Sequence, residues 1–250
     1  MDAVELYDPN NRWRHRHPAE KAALAGGMLF LAVALPPGVV TVLIALSMAA
    51  AALIGAKVSW RRFLGGLSVP AGFLLVGALP VLVSISWEAE QTWPRLVLHG
   101  WDAGRLIFRG LAASTCLLFF ATTTSLPDLL ALFRAARCPE YLVELMMLTY
   151  RFALALVQSA RAVRLAQRLR FGHGSRPARF RSLTLLVANL LPRSVDRAVR
   201  LARGLEVRGY DGRLPVLSTT ERFSWRVLGT ILGVQLAFAG LAYLTGGGGV

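Results

Sequence analysis

Lysine is nearly missing from this sequence. Lys21 and Lys57 are the only two in 250 residues, although the formal charge is +14. Neither stands in the Gly-Lys-Ser/Thr context by which a P-loop grips nucleotide phosphates, so the chain carries no Walker motif. Cysteine is scarce as well. Cys116 falls in an apolar run and Cys138 beside a proline, which is neither a metal-ligand spacing nor a disulfide framework. None of His15, His17, His99 and His173 belongs to an HExxH, and no paired carboxylates or nucleophile motif accompany them. His15-Arg16-His17 sits in a basic, exposed segment and reads as polar surface rather than a metal contact. No catalytic residue, metal-binding residue or cofactor site is expected. Acid is absent from the long apolar runs, which argues against a secondary transporter working alone through a proton or ion relay. It leaves open a transport complex whose substrate site lies in another subunit. No cleavable signal peptide is expected either, since the N-terminus is polar and acidic and the first apolar run begins near Ala22.

What is abundant is apolar surface. The chain is 55% hydrophobic and 17% charged, with a mean hydropathy of +0.51, which predicts an all-α integral membrane helical bundle. Residues 1–21 form a polar N-terminal segment whose Arg12, Arg14, Arg16 and Lys21 hold it in the cytoplasm by the positive-inside rule. Ala22 to Ala56 is apolar apart from Pro36-Pro37-Gly38; it exceeds one span of about 20 residues and suffices for two short ones, turned at the prolines. Lys57, Arg61 and Arg62 then mark a return to the cytoplasmic side. Phe63 to Ser86 is a third span, expected to kink or bend back at Pro70 and Pro80. Trp87 to Gly104, with Trp87, Trp93 and Trp101, fits the outer interface. Arg105 to Leu126 is the fourth, its Thr122-Thr123-Thr124-Ser125 cluster able to bond back to the helix or to a neighbour. Trp225 to Leu244 is the last, making about five spans with the C-terminus outside. The expected organisation is residues 1–21, membrane helices in 22–126, a cytoplasmic region 127–222, and a last span with its tail in 223–250.

Arginine crowds the region from Pro127 onward, where acids are few, and apolar periodicity persists through it, so it is not a disordered tail. Helices are expected over Leu142 to Val157, continuing through Ala160 to Arg170, and over Phe180 to Leu191, ended by Pro192. A further helix starts at Arg193. Arg161, Arg164 and Arg168 share one side, and so do Arg193, Arg197 and Arg200. Ala198, Leu201, Ala202 and Leu205 line another side of the helix and could pack against something apolar. Gly172-His173-Gly174-Ser175 breaks the first arginine helix, and Gly209-Tyr210-Asp211-Gly212 stops and turns the second. Anionic lipid, at about 1 kcal/mol per residue near the headgroups, accounts for most of these arginines. A pI near 11.3 also allows nucleic acid, but no recognised binding module is present. Neither accounts for a design that occurs twice, a long helix with aligned arginines and then a glycine. Such ends can hydrogen-bond acidic side chains or C-terminal carbonyls of a partner.

These residues resemble the transmembrane T component of energy-coupling factor transporters, in its cobalt-type branch (the CbiQ family), over nearly the whole chain. His17-Pro18-Ala19-Glu20-Lys21 is similar to the family's pattern ahead of the first span. Thr124-Ser125-Leu126-Pro127-Asp128-Leu129-Leu130, Arg137-Cys138-Pro139 and Tyr150-Arg151 are similar to its later segments. The family's two coupling helices end in Ala-Arg-Gly-like motifs. The second resembles Val207-Arg208-Gly209, with valine for alanine, ahead of Tyr210-Asp211-Gly212. The literal Ala202-Arg203-Gly204 lies one and a half turns too early. The first resembles Leu169-Arg170-Phe171-Gly172 behind Ala166-Gln167-Arg168, which leaves Arg170 and Arg168 as alternatives for the first coupling arginine. The resemblance implies a non-catalytic scaffold of an ATP-driven cobalt uptake transporter in the cell membrane. It would join two cytosolic ABC ATPase subunits, docked on the coupling arginines, to a membrane substrate-binding S component of the metal-binding type. The competing class is a basic, non-transport membrane protein that binds anionic lipid or nucleic acid; a membrane enzyme comes third.

Overall fold

The computed structural model describes residues 13, 16–35, 38–86, 95–98, 100–170, 174–210 and 224–246. Pro36-Pro37, Trp87, Trp93, Phe171-Gly172-His173 and Asp211-Gly212, on which several of the expected turns rest, lie outside these residues. The expected helical bundle is what forms: α1 (Pro18–Ala34), α2 (Val39–Ala50), a π-helical turn (Ala51–Gly55), α3 (Trp60–Leu82), α4 (Gly100–Thr123), α5 (Leu126–Ala135), α6 (Glu140–Leu169), α7 (Arg176–Val207) and α8 (Trp225–Gly246). One short antiparallel pair interrupts it, β1 (Val83–Ser86) against β2 (Arg95–Leu98), with Val83 opposite Leu98 and Ser86 opposite Arg95. It falls where the sequence suggests the end of a span and an interfacial segment.

Helix starts follow local chemistry. His17 caps α1, its Nδ1 accepting from the Ala19 N–H at 3.2 Å, and Pro18 stands at the first helical position, where a missing N–H costs nothing. Ser175 caps α7 by accepting from the Ala178 N–H at 3.3 Å. Prolines stand inside two of the helices. α3 runs unbroken through Pro70 and Pro80, so the third span neither bends back nor ends there. α7 likewise runs through Pro192, which sequence alone reads as a stop. A proline removes one intrahelical bond. Near Pro192, Ser194 Oγ donates to the Leu191 carbonyl at 2.6 Å and Asn189 Nδ2 to that of Leu185 at 2.7 Å. The two expected helices are therefore one, 32 residues long.

By internal packing the chain forms two compact units, Met1–Leu129 with Thr219–Val250, and Leu130–Ser218. In the first, α4 is the central element, in contact with α1, α2 and α3. Its Ala112, Cys116 and Phe119 meet Met28, Ala32, Ile44, Met48 and Ala52, all at most 1% exposed. Small residues let the helices approach. A Cβ on Gly66 would lie 2.7 Å from Leu118, and one on Gly27 would overlap the Gln235 carboxamide, whose Nε2 donates to the Ala23 carbonyl at 2.9 Å. The threonines bond back to their own helix, Thr122 Oγ1 to the Leu118 carbonyl at 2.8 Å and Thr123 Oγ1 to that of Phe119 at 2.7 Å. Large apolar side chains such as Phe30, Val69, Phe73 and Leu236 point outward, the inside-out pattern of a lipid-facing surface.

Among the described residues, four helices are long and apolar enough to cross a bilayer: Trp60–Leu82, Ala103–Thr123, Glu140–Leu169 and Trp225–Leu244. The expected short spans at the N-terminus correspond to α1, of 17 residues, and to the apolar stretch Val39–Gly55. α6 is the difference. Its first half is apolar enough to reach the hydropathy of a span, whereas Arg161, Arg164 and Arg168 crowd its second half.

Candidate functional site

The second compact unit is built on α6 and α7, and its chemistry lies at their ends. α7 finishes in a complete Schellman turn. Arg208 is the C-cap, with φ −88° and ψ 8°, and Gly209 follows with φ +74°. The Gly209 N–H donates to the Glu206 carbonyl and the Tyr210 N–H to the Leu205 carbonyl, each at 3.0 Å, the two bonds that define the motif. Glycine takes the left-handed backbone without the Cβ clash that other residues suffer. The helix therefore stops at Arg208, and Val207, Arg208 and Gly209 all stand exposed on the last turn.

α6 ends on the same kind of residue. Arg170 is its C-cap, with φ −93° and ψ 20°, and its N–H donates to the Ala166 carbonyl at 3.2 Å. Arg168, Leu169 and Arg170 are all exposed. Arg170 and Arg208 thus occupy equivalent positions, each just past the last helical turn in near-identical backbone conformation. Arg168 lies in the last turn of α6, two residues before the cap, whereas Arg203 lies before the last turn of α7.

Two long-range bonds orient the helices. Gln167 Nε2 donates to the Ser182 carbonyl at 2.9 Å, tying the end of α6 to the beginning of α7. Tyr210 Oη donates to Glu144 Oε2 at 3.4 Å, tying the tip of α7 to the beginning of α6. The pair is antiparallel, so Arg170 and Arg208 stand at opposite ends. At about 1.5 Å of rise per residue along α6, the two tips are on the order of 40 Å apart. Between them a groove of about 240 Å³ is lined by Leu148, Phe152, Ala155, Leu201 and Leu205 together with Arg151 and Arg197. The rest of the two arginine rows, Arg161, Arg164, Arg193 and Arg200, is exposed.

A guanidinium on an exposed helix tip is a planar, always charged donor of several N–H groups, suited to a carboxylate or to unpaired carbonyls of another protein. It is not suited to proton transfer. Among the described residues no group of three His, Cys, Asp or Glu side chains is placed to hold a metal ion. The sequence places the helix stop at Gly209, where the structure has it; Arg208, and Arg170 or Arg168 at the other end, enter through the family resemblance. It missed Tyr210, Glu144 and Gln167 as links. Tyrosine directly after a helix-stopping glycine, where a Schellman turn places a packing residue, is the signal that marks the first of them.

Comparison with known proteins agrees with this architecture. The CbiQ family, described as cobalt transport protein, matches residues 10–219. The chain is 41% identical over 235 residues to the cobalt transport protein CbiQ of Rhodobacter capsulatus, covering 94% of this chain and 95% of that one. It is 31% identical over 228 residues to CbiQ of Salmonella typhimurium, covering 85% and 98%. A putative fused cobalt transport protein CbiMQ of Methanocorpusculum labreanum is 28% identical over 172 residues, 65% of this chain and 28% of that longer one. With a family match across most of the length and several apolar helices long enough to span a bilayer, this multi-pass membrane protein belongs to the CbiQ family of cobalt transport proteins.

Proposed function

We propose that this chain is the transmembrane coupling subunit of an ATP-driven uptake transporter of the energy-coupling factor type, with cobalt ions as the cargo. It holds no nucleotide itself. Two cytosolic ABC ATPase subunits dock on Arg208, flanked by Val207 and Gly209, and on Arg170, flanked by Leu169. Their closing and opening moves α6 and α7, and the movement reaches a membrane substrate-binding S component. In this reading the N-terminus and the region of α5 to α7 lie in the cytoplasm, α6 included although its first half reaches the hydropathy of a span.

One observation carries this reading. Arg170 and Arg208 occupy the same C-cap position on two long helices that run antiparallel, so two equivalent cationic tips face away from each other on the order of 40 Å apart. A lipid surface asks only for a charged face. Two matched ends suit two copies of one partner. Sharing the C-cap position of Arg208 supports Arg170 over Arg168 as the first coupling arginine. The relative in which the family is fused to a second cobalt transport component supports a membrane partner for the bundle.

The test is co-purification and uptake. Arg208→Glu abolishes association with the ATPase subunits or uncouples uptake, whereas Arg203→Glu, on the body of α7, does much less. Intact uptake with Arg208→Glu sinks the proposal, and recovery of lipid or nucleic acid alone from the wild-type protein favours the non-transport reading.

A further inference from the structure

Glu20 and Lys21 are 3% and 0% exposed. A carboxylate and an ammonium withdrawn from solvent need polar partners, and both find one far away in sequence. Lys21 Nζ donates to the backbone carbonyl of Thr123 at 3.1 Å. That carbonyl belongs to the last helical residue of α4, where carbonyls lack intrahelical donors and the helix dipole favours a cation. Glu20 Oε1 accepts from the Ser224 N–H at 3.0 Å. Ser224 directly precedes α8, where the N–H groups lack intrahelical acceptors and the dipole favours an anion. Each charge is matched to its helix end.

The two anchored points have a topological meaning. From Thr123 the chain passes through Thr124-Ser125 into α5 and on to α6 and α7, and Ser224 is the first described residue after them. In chain order, all of α5, α6 and α7 lie between Thr123 and Ser224, and adjacent residues in the first turn of α1 hold both points. The departing turn is stiffened further by the bonds of Thr122 and Thr123 to their own helix and by the Thr124 N–H, which donates to the Phe120 carbonyl at 2.9 Å.

We propose that Glu20 and Lys21 are positioning residues for energy coupling: a fixed mount that keeps the end of α4 and the start of α8 wound. Movement imposed on Arg170 and Arg208 is then delivered to the bundle instead of being absorbed by fraying at these two crossings. This rests on the coupling function proposed above. Lysine suits the site because its ammonium is a compact point charge that can enter an enclosed space beside a carbonyl, where the planar fork of arginine needs more room. In a chain whose other cations are almost all arginine, that choice has a physical reason.

The experiment uses the whole complex, with ATPases and S component, reconstituted in proteoliposomes. Lys21→Met keeps the length and removes the ammonium. Glu20→Ala removes the acceptor, and Glu20→Gln retains a side-chain oxygen for the Ser224 N–H. Lys21→Met and Glu20→Ala still co-purify with the ATPases and hydrolyse ATP, because Arg170 and Arg208 are untouched, but uptake per ATP falls about tenfold, the scale of an ordinary coupling free energy. Glu20→Gln stays close to wild type. Unchanged uptake per ATP in Lys21→Met overturns the proposal. If Lys21→Met does not accumulate, equal uptake per ATP in Glu20→Ala and Glu20→Gln overturns it, and so does loss of the assembled complex in both Lys21→Met and Glu20→Ala, which assigns the pair to folding alone. Arg208→Glu run in parallel separates the two readings. If it transports normally, the coupling function itself is wrong; if it is inactive while Lys21→Met is normal, only the mount is.

Discussion

Gly209 offers the sharpest test of whether docking needs the shape of the α7 tip or only its charge. Its φ of +74° lies in the left-handed region, and a Cβ built there has nothing within 4 Å. Gly209→Ala therefore introduces no steric clash with the rest of the protein. What it adds is the intrinsic cost of a left-handed L-residue, about 1–2 kcal/mol. Val207, Arg208 and Gly209 are exposed and the turn has little local stability to spare, so this cost appears as lost occupancy of the Schellman turn. A penalty of that size changes a population by about 5- to 30-fold. If the ATPases recognise Arg208 only when the turn is formed, their apparent Kd rises by up to that factor, because only the competent fraction binds. The assay is titration of the detergent-solubilised subunit with purified ATPase subunits, alongside a thermal melt that stays at the wild-type temperature. Gly209→Asn gives a smaller loss, since asparagine tolerates the left-handed region. Wild-type affinity in Gly209→Ala together with lost binding in Arg208→Ala refutes the reasoning, leaving charge without geometry.

The equivalence of the two caps predicts an asymmetry at the other tip: Arg170→Glu impairs ATPase co-purification and uptake severely, while Arg168→Glu, two residues back in the last helical turn, costs less. Equal losses at both positions would return the choice between them to where the sequence leaves it. In the bundle, Gly27→Val forces the Gln235 side chain aside and is expected to cost about 1–3 kcal/mol by overpacking, seen as a lower melting temperature in detergent. Gly26→Val, where a Cβ meets nothing within 4 Å, melts near wild type.

Much of the fold was legible because it is local. Long acid-free apolar runs predict membrane helices, and Gly209 after an arginine-bearing helix predicts a stop at that residue, since both follow from the chemistry of a few neighbouring groups. Pro192 was misleading for the opposite reason. It forfeits a helix bond, and local preference then favours a break. α7 nevertheless runs through it, since tertiary context overrides local propensity and cannot be read from the residues beside the proline.

The sequence by itself determined the class of protein, a helical membrane bundle with a basic, arginine-ended pair of helices and no nucleotide motif. Composition and short-range spacing suffice for that. Only the tertiary structure decided that Arg170 and Arg208 are equivalent caps at opposite ends of an antiparallel pair, and that Glu20 and Lys21 hold Ser224 and Thr123. The bonds responsible join residues 15, 66, 102 and 204 positions apart. Their partners are backbone carbonyls, a backbone N–H and one carboxylate, groups whose sequence context does not mark them, so only the folded chain brings them together.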